Sequence, residues 1–307
     1  MLRDAKILVV GCTGQVALPV ATALAGDNEV WGIARFRDAA ARETLEGAGV
    51  RCVSVDLSDP DLSGVPDDVT HVLNFSVART GRWTEDLDMN VGSVGFLMEH
   101  CRNARAVLHC STTGVYQPQR DHLFAEDDPL GDNHRPFEPV LPFLSTYSIS
   151  KIAGEAAARY ASRRWDLPTT IARLCVPYGD NGGWPSVHLE MMAAGMPIAV
   201  HPDRPNRFNL IHEEDIVATI PALLDAATVP AVVVNWGGEM SSLEDWCAEL
   251  GSLTGIEPKF EETEQTISGV PIDTTKFVSL TGGATRVPLQ DGLRRMVAAR
   301  RPDLLSR

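Results

Sequence analysis

Tyr147 and Lys151 lie four positions apart in Ser145-Thr-Tyr-Ser-Ile-Ser-Lys151, so on a helix they share one face, about 5–6 Å apart at Cβ. A free phenol, with a pKa of about 10, exchanges protons poorly at neutrality. Bringing it to about 7 takes roughly 4 kcal/mol of preferential stabilisation of the phenolate, and a neighbouring ammonium supplies that sign of interaction. The pair reads as a proton-transfer group. A second constellation, Gly11-Cys-Thr-Gly14-Gln-Val-Ala17, has the spacing GxxGxxA. Glycine at such a turn permits positive φ and close approach of the backbone to a pyrophosphate, while the helix that follows offers unpaired N–H groups. Gly11, Thr13, Gly14, Gln15 and Val16 are therefore assigned to a dinucleotide. A third is the hydroxyl-rich run Cys110-Ser111-Thr112-Thr113-Gly114-Val115-Tyr116. One of its hydroxyls, with Thr113 among them, is expected to bond the oxygen of a substrate.

Such groups need a scaffold that brings strand ends together. Apolar runs at Lys6–Val10, Glu29–Ala34, Arg51–Val55, His71–Phe75 and Ala104–Cys110 alternate with helical stretches at Ala17–Ala25, Ala39–Glu46 and Thr84–Arg102. Strands with little polar alternation, separated by helices, predict a parallel sheet covered on both faces. A helix over Thr146–Arg163 and a strand over Thr169–Cys175 complete it. Asp121–Phe143, rich in Pro, Asp and Glu and without a period, is predicted to be a loop, and loops of that length are usually functional or disordered. The predicted class is α/β: a doubly wound parallel sheet of Rossmann type over 1–176, then a smaller C-terminal α/β substrate domain over 177–307. The stretch 206–236 is expected to return to the first domain.

The second predicted strand ends in Ala34-Arg-Phe-Arg37, and Arg35 lies 18 residues after Ala17, near the spacing at which such folds contact the adenosine ribose. A basic residue there accommodates the 2′-phosphate of NADP, where an acid would read the hydroxyl of NAD. From that strand end no acid is available until Asp38. NADP is the expected cofactor, with NAD as the alternative. Asp56 and Leu57, closing the third strand, would meet adenine, or Asp56 would be a plain helix cap.

The chain has 307 residues, 44% of them apolar, and a mean hydropathy of −0.06, the balance of a globular protein. Its 27 Lys plus Arg against 41 Asp plus Glu give a formal charge of −14. That argues against nucleic acid and anionic membrane surfaces as partners. No run of about 18 apolar residues and no signal-peptide pattern is present, so a cytoplasmic location is expected. The six cysteines are scattered singly and are read as small buried hydrophobes. No His/Asp/Glu cluster has metal-ligand spacing, and no metal is predicted. His109 reads as a satisfied buried histidine, Glu126-Asp-Asp128 and Glu261-Glu262 as solvated faces, and Trp83 and Trp184 as candidate substrate walls.

Taken together, the chain resembles the extended short-chain dehydrogenase/reductases, the NAD(P)-dependent epimerase/dehydratase family. The resemblance spans GxxGxxA at Gly11, Asp56-Leu57, Asn90-Val-Gly-Ser93, Ser111–Tyr116, Tyr147–Lys151, Arg173 with Pro177-Tyr-Gly179, Arg207–Asp215 and Asn235–Gly238, in the family's order. It implies that Thr112 is the catalytic Ser/Thr, with Ser111 in the preceding strand-end place. Tyr147 becomes the acid/base, and Lys151 the residue that binds the nicotinamide ribose and lowers the tyrosine pKa. Asn74, Phe75, Ser76 and Asn90 would line the cofactor, Pro177 would sit beside the nicotinamide, and Arg207 would meet a substrate diphosphate. A homodimer through the helices at Asn90–Arg102 and Thr146–Arg163 is implied as well.

The family's 4,6-dehydratases carry acids directly after the catalytic Thr, where this chain has Thr113-Gly114, so a dehydratase is not expected. Val176 before Pro177 and Gln117 after Val115-Tyr116 depart from many nucleotide-sugar epimerases and leave non-sugar carbonyl substrates open. The expected reaction is hydride transfer at a secondary alcohol or ketone of a small molecule. A non-catalytic NADP-binding sensor would keep the glycine loop but need no Tyr/Lys pair.

Overall fold

The computed structural model describes residues 2–138, 140–283 and 285–305. Its strands are β1 (Lys6–Val10), β2 (Glu29–Ala34), β3 (Arg51–Ser54), β4 (His71–Asn74), β5 (Ala106–Thr112), β6 (Thr169–Leu174), β7 (Val176–Gly179), β8 (Gly182–Gly183), β9 (Ile198–Val200), β10 (Arg207–His212), β11 (Val232–Trp236), β12 (Glu239–Ser242) and β13 (Phe260–Glu262). The helices are α1 (Ala17–Ala25), α2 (Ala39–Gly47), α3 (Trp83–Leu87), α4 (Ser93–His100), α5 (Tyr147–Arg164), α6 (Trp184–Ala193), α7 (Glu213–Asp225), α8 (Leu243–Thr254), α9 (Thr275–Thr281) and α10 (Leu289–Arg300).

The chain forms two compact units. The first comprises the chain up to Thr112 with Ile149–Arg173 and Val217–Val234; the second comprises Thr113–Ser148, Leu174–Ile216 and the chain from Asn235 on. The first is a doubly wound sheet in the order β11-β6-β5-β4-β1-β2-β3, with β1 paired in parallel to both β2 and β4. Strand order reverses between β1 and β4, and in such sheets the crevice opens at the carboxyl ends of that pair. Ile7 to Val10 are all buried because helices cover both faces. The core joins Leu8, Val10, Ile33, Val72, Val107 and Ile171 of the sheet to Leu97 and Ala161 of the helices. Each large aliphatic side chain buried there contributes about 1.5–3 kcal/mol.

The second unit holds the sheet β12-β10-β7-β8 and the pair β13-β9. Its core gathers Trp246, Leu250, Phe208, Tyr178, Leu189 and Met296. Trp184, partly buried, packs edge-on against Phe208 at 5.3 Å beside this core.

Several local expectations change. The helix predicted over Thr84–Arg102 is broken into α3 and α4 by a π-helical turn at Asp88–Gly92. Asn90 in that turn accepts from Ala78 N at 2.8 Å and donates to Ala78 O at 2.9 Å, and π-turns are common where a helix serves a site. β5 runs on to Thr112, so Ser111 and Thr112 are its last residues. Glu126 and Asp128 are not a solvated face. Glu126 accepts from Asn235 N at 3.0 Å, and Asp128 from Ala125 N at 2.8 Å with His122 beside it. Five cysteines are buried, Cys52 is half-buried, and all six are free. Among the described residues no helix is long and apolar enough to cross a membrane, and no cluster of His, Cys, Asp and Glu could hold a metal ion.

Candidate active site

The glycine loop bends at Gly11, where φ is +74° and the N–H donates to Ile33 O at 2.8 Å. A Cβ there would lie 3.1 Å from the Ser76 backbone, so the loop after β1 can meet the loop after β4 only without a side chain. No side chain caps α1 at Val16, although Leu18 N in its first turn donates to Gly14 O at 2.9 Å. These two loops and the ends of β2 and β3 enclose a cavity of about 360 Å³. Of the predicted cofactor residues, Gly11, Thr13, Gly14, Arg35, Asp56, Leu57, Phe75, Ser76 and Asn90 line it. Gln15, Val16, Asn74, Ser111 and Lys151 are not among its walls. Phe36, Arg37, Asp38 and Arg79, unassigned from sequence, are.

The polar groups of this cavity are sorted by what already holds them. Asp38 caps α2, accepting from Ala40 N at 3.0 Å and Ala41 N at 3.4 Å. Asp56 accepts from the backbone N–H of Ser58 at 3.0 Å and its hydroxyl at 2.9 Å. These bonds hold its carboxyl below the usual range, with Arg35 and Arg37 adding to the effect. Arg35 and Arg37 are exposed at the rim. Asn74 stands behind the wall, its Oδ1 accepting from Ser76 N at 3.0 Å and Ser76 Oγ at 2.6 Å.

Lys151 is buried, and its Nζ donates to Cys110 O at 2.9 Å and Ser76 O at 3.4 Å. The ammonium thus spans the exits of β5 and β4 and touches a wall residue of the cavity. Burial holds it below the usual ammonium range, with Arg79 pushing the same way and Glu155 opposing. One turn on, Glu155 accepts from Ser111 Oγ at 2.6 Å, Arg173 Nε at 2.9 Å and Arg173 Nη2 at 2.9 Å. All three residues are at most 2% exposed. This two-toothed, charge-assisted clamp ties α5 to the ends of β5 and β6 and so fixes where Lys151 stands. Neither role was visible from sequence, although the four-residue spacing of Lys151 and Glu155 hinted at a shared face.

His109 meets the expectation of a satisfied core histidine only in part. Its Nδ1 lies 3.3 Å from Asn74 Nδ2, but its buried Nε2 has no partner. Burial, aided by the charge of Lys151, pushes it down to about 3, so it is neutral near pH 7. The missing side chain of Gly154 leaves room beside it, since a Cβ there would lie 3.5 Å from Nε2.

Thr112 ends β5 in the first unit and is nearly buried. The remaining predicted residues belong to the second unit. Thr113 is buried in the 3₁₀ turn Thr113–Val115, Pro177 lies in β7 opposite Ile211, and Tyr147 is the first residue of α5. Arg207 opens β10 and donates from Nη2 to Asp121 at 2.7 Å, while its buried Nε has no partner. His134, absent from the sequence reading, packs its ring edge-on against Tyr147 with centroids 4.8 Å apart.

The model of the NAD dependent epimerase/dehydratase family matches residues 7–237, and the chain belongs to that family of enzymes. Among curated proteins it is 30% identical over 198 residues to the low-salt glycan biosynthesis protein Agl12 of Haloferax volcanii. That match covers 61% of this chain and 58% of the relative's length. Among solved structures, the UDP-glucuronic acid 4-epimerase of Bacillus cereus in complex with UDP-glucuronic acid and NAD superposes with a TM-score of 0.81 at 20% identity, covering 96% of this chain and 99% of that one. The dTDP-glucose 4,6-dehydratase DesIV of Streptomyces venezuelae, with NAD and TYD bound, gives 0.78 at 21% identity over 97% of each chain. At such identities the likeness establishes the fold, and it takes in both epimerase and dehydratase.

Proposed function

We propose that the protein is an NADP-preferring epimerase or dehydrogenase acting at a secondary alcohol of a nucleotide sugar. The observation that carries this reading is the place of Lys151. Its buried ammonium sits between the Cys110 carbonyl and the carbonyl of Ser76, a wall of the glycine-loop cavity, and one helical turn from Tyr147. A fixed positive charge beside a dinucleotide cavity is what a phenol needs to exchange protons near neutrality.

The cavity suits a dinucleotide, since its glycine cradle would be filled by a Cβ at Gly11 and the start of α1 is uncapped. Gly11, Thr13, Gly14 and the first amides of α1 would receive the pyrophosphate, and Asp56 and Leu57 the adenine. A bound nicotinamide supplies hydride acceptance and return. Tyr147 takes or returns the alcohol proton, Lys151 holds the phenolate form, and Thr112 hydrogen-bonds the substrate oxygen. Support for NADP comes from the charges at the rim: Arg35 and Arg37 are exposed there, while Asp38 Oδ1 accepts from two amides of α2. Against dehydration stands Thr113-Gly114, which follows Thr112 and offers no acid. The nucleotide sugar is supported by the substrates named for the structural neighbours. Exposed Phe96 on α4 and Tyr160 on α5 support self-association into a homodimer.

The test is incubation with NADP or NAD and UDP-glucose, UDP-glucuronic acid or dTDP-glucose, with chromatography of the sugar beside absorbance of the reduced ring. A stereoisomer or an oxidised sugar is expected, together with tighter binding of NADPH than NADH and loss of turnover in Tyr147→Phe with cofactor affinity retained. A 4-keto-6-deoxy product, tighter NADH, or turnover unchanged in Tyr147→Phe would each overturn its part. Light scattering that returns a monomer would overturn the dimer.

A further inference from the structure

Tyr147 occupies the first position of α5, just after the 3₁₀ turn Pro142–Leu144. The imidazole of His134 packs on the phenol, with ring planes 64° apart and centroids 4.8 Å apart. His134 belongs to the long loop before the helix and is tied down at two atoms. Its backbone N–H donates to Ser148 Oγ at 3.2 Å, and its Nδ1 lies 2.8 Å from the same oxygen. Ser148, fully buried, follows Tyr147 in the chain and donates from Oγ to Gly114 O at 2.6 Å.

Counting protons places a hydrogen on Nδ1 of the imidazole. A carbonyl oxygen carries no hydrogen, so the short contact to Gly114 O takes the single proton of the serine. Ser148 Oγ then offers only lone pairs, and Nδ1 must bring its own proton. Neutral His134 is thereby set as the Nδ1–H tautomer, with the lone pair on Nε2.

We propose that His134 is a positioning residue for the proton-transfer step: locked by Ser148, its ring holds the Tyr147 phenol and, through Ser148 and Gly114, couples it to the turn that carries Thr113. The inference rests on Tyr147 being the acid/base. A phenol at a helix start that swings by about 1 Å stands to lose about 10²-fold in rate, and an edge-on aromatic partner restrains that swing.

Two measurements test it. Nitrogen-15 spectra of the imidazoles, with His134→Phe identifying the resonance, should show a protonated Nδ1 in the wild-type protein and a tautomeric mixture in Ser148→Ala. With UDP-glucuronic acid or UDP-glucose and NADP, His134→Ala and Ser148→Ala should lower kcat about ten- to a hundredfold, with KM and NADPH affinity nearly unchanged. His134→Phe, which keeps a ring, should restore most of the loss. A protonated Nε2 in the wild type, or kcat in His134→Ala within about threefold of wild type, would overturn the proposal. If neither the wild-type protein nor Tyr147→Phe turns over these sugars, the nucleotide-sugar reading fails, while turnover unchanged in Tyr147→Phe sinks the acid/base reading. The ring resonances of Tyr147, identified by their loss in Tyr147→Phe, still decide the packing: they should move in His134→Ala, and unmoved resonances would overturn it.

Discussion

Arg173 and Arg35 both stand near the carboxyl ends of strands in the seven-stranded sheet, yet their charges are handled in opposite ways. Arg173, in β6, is 1% exposed and gives two hydrogen bonds to Glu155, which also receives Ser111. Arg35, just beyond β2, is exposed on the wall of the glycine-loop cavity, close enough to Asp56 to help keep its carboxyl ionised. A guanidinium whose donors are met inside the protein holds the framework still. One left facing a cavity keeps its donors for a ligand, and its effect is open to screening by salt. Proximity to the site therefore does not make an arginine a binding residue; what its donors already bond does.

The largest effect should come from Arg173→Ala, which strands Glu155 in the interior and costs about 3–5 kcal/mol of folding stability, read from a urea midpoint. Arg35→Ala should shift the same midpoint by less than about 0.5 kcal/mol, and equal losses would erase the distinction drawn above. Replacing Glu155 and Arg173 together by Leu and Met should recover most of that loss, because no uncompensated charge then remains buried; a double variant as weak as the single one would mean that the bonds themselves, not the charge balance, hold the helix. Arg35→Ala should weaken NADPH about tenfold, or about 1.4 kcal/mol, and leave NADH nearly unaltered, by calorimetry on both cofactors. Raising salt should weaken NADPH in the wild-type protein more than in Arg35→Ala, since the exposed charge is the screened one. A small change is also expected in the second unit, where Arg207 and Asp121 form an exposed pair. Asp121→Ala should alter stability by no more than about 1 kcal/mol.

Most of the parallel strands were legible along the chain because buried parallel strands carry unbroken apolar runs, and the glycine loop was legible because positive φ and close backbone approach leave few residue types available. Tyr147 and Lys151 were legible for the same kind of reason, since one helical turn relates them whatever surrounds the helix. The interruption of the helix at Asp88–Gly92 was not, because it depends on Asn90 finding both main-chain groups of Ala78. The acidic run at Glu126 and Asp128 was misread because charge alone does not say which amides a carboxylate will meet.

Short-range order along the chain was enough to settle where the glycine turn lies and which helix face bears the phenol and amine, because φ preference and helical spacing are properties of neighbours. Which charges are spent and which stay open was settled only in three dimensions. Glu155 meets Arg173 18 positions away and Ser111 44 positions away, and His134 meets Ser148 across 14. Hydrogen bonds and ion pairs act within a few ångströms in space and are indifferent to distance in sequence, so their partners exist only once the sheet has brought distant segments together.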